Sequence, residues 1–353
     1  MINKINSAMI ESCSALNQRD EAFQFSMKNL ENCEFNYGPY SVFSFGSRLS
    51  AISSYAQTQG KFAEAQRELE KMEKTLRDRG MLEEGCQFYY LARTLMGVVA
   101  YSQLQLDKAY ETLKGVLTEQ LVYVDQQEDH PFLEQTYQHL ALYYKMVRQF
   151  PAALLTWQKL YKVQERMFGV DSPVLVECLK NIAMCQMVQG THKDSIETYQ
   201  KAIPISEKAI RNAQNADDQE AVKFERSLLC QIYFSMYLAS QYSNDHEKAL
   251  EYNDRSRELN ALSYGDEDVT VANCDYLAAQ LLLQMIRVND ALPRIENAIR
   301  VIELKRDNPD LMVIVKYHML KAKLLRMQDK HREALDIANS MLARVEGNLQ
   351  LSP

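Results

Sequence analysis

The side chains that could do chemistry are few and scattered along this chain. Six histidines stand at positions 130, 139, 192, 246, 318 and 331. None forms the His-Glu-x-x-His spacing that puts two imidazoles on one helix face around zinc. Asp245, His246 and Glu247 have metal-ligating types, but they fall on a polar stretch that reads as a solvated turn. Seven cysteines stand at 13, 33, 86, 178, 185, 230 and 274. Their number is odd, no Cys-x-x-Cys occurs, and most sit in apolar helical stripes, which predicts reduced, buried thiols. Cys178 and Cys185 share one helix face at a spacing that suits packing. No glycine-rich phosphate loop and no Gly-x-Ser-x-Gly elbow is present. These residues predict no enzyme, no cofactor and no metal site.

The elements that carry them are more informative. Ala22, Ala65, Ala109, Ala153, Ser195, Ala249, Ala291 and Ala334 follow one another at steps of 43, 44, 44, 42, 54, 42 and 43 residues. A second small residue stands 12 positions before six of them: Ser53, Gly97, Ala141, Ala183, Ala279 and Ala322. A double period of that length is the signature of a helical repeat array. Each repeat reads as two amphipathic helices, A and B. Repeat 4 is typical: Leu133, Tyr137, Leu140, Ala141 and Tyr144 are the apolar face of helix A, and Ala153, Leu154, Trp157, Leu160 and Tyr161 that of helix B. The small residues lie where A crosses B, Gly97 opposite Ala109 and Ala141 opposite Ala153. Close approach there leaves no room for bulk.

The A helices are predicted near 3–16, 41–58, 84–103, 131–147, 173–189, 219–242, 267–286 and 310–328. The B helices follow near 19–35, 61–79, 106–123, 150–167, 192–212, 245–262, 289–305 and 330–345. Gly38, Gly80, Gly169, Gly265 and Gly347 follow B helices, where positive φ is required. Gly60 and Gly190 occupy turns within repeats. Pro39, Pro131, Pro173 and Pro309 open A helices, with Asp171 or Ser172 and Asn308 as N-caps. The 54-residue step places about 11 extra residues at 212–223, expected to lengthen helix 5B, its turn and helix 6A. The reading is all-α: one right-handed α-solenoid over 1–353, of about eight helix pairs, with repeats near 1–38, 39–82, 83–129, 130–170, 171–214, 215–265, 266–307 and 308–348.

Small residues at repeat positions 8 and 20, a bulky apolar residue at 24 and often a small one at 27 resemble the tetratricopeptide repeat. Leu69, Leu113, Trp157 and Tyr199 fill position 24, and Ala202 and Ala298 fill position 27. The period of 42–44 resembles the kinesin-light-chain type of that repeat. The best local match is 168–203, through Gly169, Pro173, Val174, Leu179, Asn181, Ile182, Ala183, Gly190, Tyr199 and Ala202. Ile10 and Tyr237, at the small position of repeats 1 and 6, depart from the pattern. No heptad segment precedes the repeats, so the resemblance concerns repeat type and not membership of a motor complex.

The resemblance implies a concave groove lined by A helices that binds a short peptide or helix of a partner protein. Carried over by position, its lining is Gln135, Gln138, His139 and Lys145 in repeat 4, then Lys180 and Asn181 in repeat 5. Asn273, Tyr276 and Gln280 follow in repeat 7, and Lys316, Lys323 and Arg326 in repeat 8. Inward amides suit hydrogen bonds to a peptide backbone. The basic C-terminal end suits an acidic segment. The lysine–asparagine carboxylate clamp of chaperone-binding relatives is absent, because the first three repeats present Ser, Thr, Ala and Leu there. The implied function is a non-enzymatic scaffold or adaptor in a multi-protein complex. The alternatives are a fixed subunit of a cytoskeletal or ciliary assembly and a peptide-responsive regulator. The regulator type carries a helical domain before its repeats, whereas here the repeats begin near residue 1.

A net charge of −7 spread along the chain lacks the basic face of a nucleic-acid protein. No apolar run approaches the ~20 residues of a bilayer span, and the N-terminus lacks the apolar core of a signal peptide. A cytoplasmic place is expected, with cytoskeletal or ciliary association as the alternative.

Overall fold

The computed structural model describes residues 19–57, 62–78, 87–304 and 311–349. Those residues form fifteen α-helices and no strand. They fall into two compact units, 1–170 and 171–353, divided between repeats 4 and 5. Unit 1 contains α1 (Arg19–Tyr37), α2 (Val42–Gln57), α3 (Phe62–Asp78), α4 (Gln87–Ser102) and α5 (Leu106–Tyr123). A 3-10 turn (Pro131–Leu133), α6 (Glu134–Met146) and α7 (Phe150–Phe168) complete it. Unit 2 contains α8 (Val174–Val188), α9 (His192–Asn215), α10 (Gln219–Tyr242) and α11 (His246–Tyr264). It ends with α12 (Val269–Gln284), α13 (Val288–Leu304), α14 (Leu311–Met327) and α15 (His331–Leu349). The expected A helix at 3–16 lies outside the described residues, as do Gly60, Gly80, Asn308, Pro309, Cys13 and Cys86.

The apolar period drives each pairing. In α3, Ala65, Leu69, Met72 and Leu76 are fully buried at spacings of four, three and four residues. Each buried Leu of this kind contributes ~1.5–3 kcal/mol by leaving water. The crossings need small residues. A Cβ on Gly97 would stand 2.7 Å from Leu113 Cγ. The residue that packs against Gly97 is therefore Leu113, one turn beyond the expected Ala109. In repeat 5 the crossing carries a hydrogen bond: buried Ser195 Oγ donates to the Ala183 carbonyl at 2.8 Å. Repeat 6 accommodates Tyr237, buried and stacked on Phe234 at 5.9 Å between ring centroids.

Six described A–B turns close alike. Leu104, Arg148, Gly190, Asn244, Ile286 and Asp329 adopt φ between 56° and 82°. Each stands five residues before the small residue of its B helix. The next N–H reaches the carbonyl five residues back, as in Gln105 to Ala100 at 2.9 Å and Arg287 to Leu282 at 2.8 Å. This is the six-to-one bond of a Schellman cap. Gly38, Gly169 and Gly265 adopt φ of 82°, 84° and 88° after their B helices.

Several local expectations are corrected. Gly347 lies inside α15 and ends no helix. Pro173 itself holds the N-cap position of α8, with no side-chain cap from Asp171 or Ser172. Pro39 lies in the turn before α2, and Pro131 opens the 3-10 turn ahead of α6. The extra residues at 212–223 do lengthen helices: α9 and α10 each run 24 residues, and Asp218 caps α10 by accepting from Ala221 N at 3.0 Å.

Candidate functional site

In unit 1, α6 carries Gln135 exposed and Gln138, His139 and Lys145 half-buried. Burial pulls the His139 imidazole down to about 4, and its Nδ1 has no hydrogen-bond partner among the described residues. His139 therefore stays neutral at ordinary pH. In unit 2, α8 holds Lys180 and Asn181 through internal bonds. Lys180 Nζ lies 3.1 Å from Glu177 Oε2 and 3.3 Å from Gln231 Oε1. Asn181 is buried, and its Nδ2 donates to the Glu177 carbonyl and to Glu177 Oε1, both at 2.9 Å. Asn273 and Gln280 are exposed on α12.

The remaining four predicted residues come together. Tyr276 of α12 with Lys316, Lys323 and Arg326 of α14 line a groove of about 610 Å³. Position dictates the arrangement. Lys316, Lys323 and Arg326 stand seven and three residues apart, so about three helical turns bring them to one face. Met319, Leu320 and Ala322 on the same helix give that face an apolar floor. The opposite wall is α15, through His331, Ala334, Leu335 and Ala338. Leu335 and Met319 are 60% and 47% exposed.

Charge at the groove is one-sided. Among the described residues, none of Lys316, Lys323 and Arg326 pairs with a carboxylate. Lys316 Nζ instead sits 4.4 Å from the Tyr276 ring centroid, a cation–π contact. Tyr276 is buried and stacks on Tyr317 of α14 at 4.5 Å and 8°. Its phenol is pushed above the usual range, chiefly by burial, so it remains a neutral platform. The arrangement offers three cations over an apolar trough, which suits an anionic, partly apolar segment.

Sequence reasoning found the A-helix side of this groove and missed the α15 wall, because the family pattern assigns the lining to A helices. The 43-residue step provides the missing signal. It maps Val288, Leu292 and Ile295 of α13, which pack in the repeat 7–8 core, onto His331, Leu335 and Ala338.

Cys33, Cys178, Cys185, Cys230 and Cys274 are buried, and Trp157 is in the core. Among the described residues no cluster of three His, Cys, Asp or Glu is arranged to hold a metal, and no helix is long and apolar enough to cross a membrane.

No protein-family model and no curated protein matches the sequence. Solved structures do match. The apo form of RapI aligns over 98% of this chain and 89% of its own, with a TM-score of 0.62 at 12% identity. A signal-transduction ATPase with numerous domains from Pyrococcus horikoshii, which carries a tetratricopeptide-repeat sensor, aligns over 94% of this chain and 46% of its own. Its TM-score is 0.62 at 13% identity. With the small–small ladder, the fifteen helices and these two likenesses in agreement, the chain has the all-α tetratricopeptide-repeat fold.

Proposed function

We propose that this protein is a non-enzymatic interaction scaffold that binds an acidic peptide or helix of a partner protein. The observation that carries this reading is the groove of α12, α14 and α15. Lys316, Lys323 and Arg326 have no carboxylate partner among the described residues, yet they surround apolar Met319, Leu320 and Leu335. Exposed apolar side chains rimmed by charge mark interaction surfaces. Charged rims steer and select partners more than they add affinity. The residues carried over on α8, in the same unit, belong to the proposed lining as secondary contacts, and those on α6 form a separate proposed surface of unit 1. Asn181 supports it least, since its amide N–H groups bond Glu177 within the chain.

Affinity capture from the source cells tests the reading. The wild-type chain is compared with the Lys316→Glu, Lys323→Glu, Arg326→Glu variant, with thermal melting as the folding control. The reading expects equal melting and the loss of at least one captured protein. Identical captured sets from two folded chains would move the interaction to another face.

A further inference from the structure

The groove on hairpin 8, the α14–α15 pair, is the copy of a surface that is already occupied on hairpin 7, the α12–α13 pair. The 43-residue step maps Tyr276, Gln280 and Leu283 of α12 onto Met319, Lys323 and Arg326 of α14. On hairpin 7 this surface receives α14. Tyr317 stacks on Tyr276, and Ile314, Leu320 and Leu324 join Ile295, Ile299 and Ile302 in one buried cluster. The internal occupant of this kind of slot is thus a helix laid on with its apolar stripe inward. On hairpin 8 the mapped positions stay open, and Ala338 stands where hairpin 7 has the fully buried Ile295, which widens the floor.

The charge of the slot changes along with its occupancy. Where α14 lies on hairpin 7, it brings Lys321 and His318 to Glu296 and Glu303 of α13 at 2.9 and 3.0 Å. A basic helix there meets an acidic receiver. At hairpin 8 the receiving A-helix row changes from Asn273, Gln280 and Leu283 to Lys316, Lys323 and Arg326. Among the described carboxylates of α15, Glu333, Asp336 and Glu346, none lines the groove. A helix like α14, which has four Lys and Arg side chains and no acidic ones, is repelled from this surface.

Resting on the reading of this groove as a partner site, we infer that its occupant is an amphipathic helix of a partner protein. That helix has an acidic flank and docks as a ninth A helix would. An apolar stripe at i, i+3, i+4 and i+7 fills the trough between Met319 and Leu335. Glutamates or aspartates one turn apart on its flank meet Lys323 and Arg326. Helix-in-groove recognition of this kind reads spacing and charge together.

Three stapled 18-residue peptides test this against the full chain by fluorescence anisotropy. One has a leucine stripe and a glutamate flank, the second the same stripe with a lysine flank, and the third the first composition rearranged to abolish the stripe. The inference expects the first to bind, and to weaken at least 10-fold when Lys323→Glu and Arg326→Glu are combined. It expects the other two to bind at least 10-fold more weakly than the first. Equal binding of the lysine peptide would overturn the charge assignment. Equal binding of the rearranged peptide would overturn the helix and leave an extended acidic occupant. Micromolar self-association abolished by the double variant would replace the partner with a second copy. No binding by any peptide, with the affinity-capture loss still observed, would sink the helical occupant and leave the groove as the partner site.

Discussion

Around Asp275 and around Lys323, one molecule gathers charge for opposite ends. Asp275 on α12 is 1% exposed and accepts from Arg257 Nε of α11 at 2.8 Å. It also accepts from Arg294 Nη1 and Asn297 Nδ2 of α13 at 3.0 and 2.6 Å. Arg294 Nη2 continues to Asp254 of α11 at 2.7 Å. Every charge there has an internal partner, and the set ties three helices together. In the groove, among the described residues, none of the cations has a carboxylate partner, and the apolar floor stays open. The difference separates charge that specifies the fold from charge that remains available to a second molecule. A buried ion pair contributes little net stability but becomes expensive when one partner is removed. An exposed, unpaired cation can be reversed almost without effect on folding.

The predictions that break or sharpen this contrast run from large to small. Asp275→Ala leaves Arg257 and Arg294 facing each other. The expected loss is ~2–3 kcal/mol, below the ~3–5 of a fully buried pair because both arginines are partly exposed. Chemical denaturation measures it, and an unchanged midpoint would mean that the arginines are held by water alone. His139 in unit 1 tests a buried ionisable group with no partner. Its folded pKa, about 4, lies below the 6.5 of the unfolded chain, so the unfolded state binds the extra proton between those values. Stability is then full above pH 6.5 and falls as pH drops toward 4, by on the order of 3 kcal/mol. His139→Leu should flatten that acid limb in a pH series of denaturation curves. A limb that persists would place the titration elsewhere.

A smaller effect is expected at the turn of hairpin 7. Ile286 holds φ 60° with a β-branched side chain and is 76% exposed, so most of it faces water. Ile286→Asn should raise stability by about 1 kcal/mol, because asparagine tolerates the left-handed region. A loss on melting would show that the isoleucine packs. The smallest stability effect belongs to the groove: Lys323→Glu with Arg326→Glu should change it by less than ~0.5 kcal/mol. A larger drop would mean that these cations are structural, and the contrast with Asp275 would collapse.

The helix pairs were legible because close crossings admit only small side chains, and Gly97 against Leu113 is that rule in atomic terms. The 212–223 extension was legible as surplus length in a strict period. Apart from Gly190, the conformation of the turns was not, because Leu104, Arg148 and Ile286 adopt a conformation that composition assigns to glycine. Exposure makes the strain affordable there without leaving a pattern. Asp275 was passed over, since its partners lie 18 to 22 residues away on neighbouring helices and share no helical spacing with it. In the groove, the α14 cations could be read from one helix. The α15 wall was not read, because the family pattern assigns the lining to A helices alone.

The most direct measurement is hydrogen exchange by mass spectrometry on the wild-type chain, free and bound to the partner that the affinity comparison identifies. The account predicts new protection concentrated in α14 and α15, with the α9–α10 turn unchanged. Protection confined to unit 1, or to that turn, with α14 and α15 exchanging as in the free chain, would contradict it.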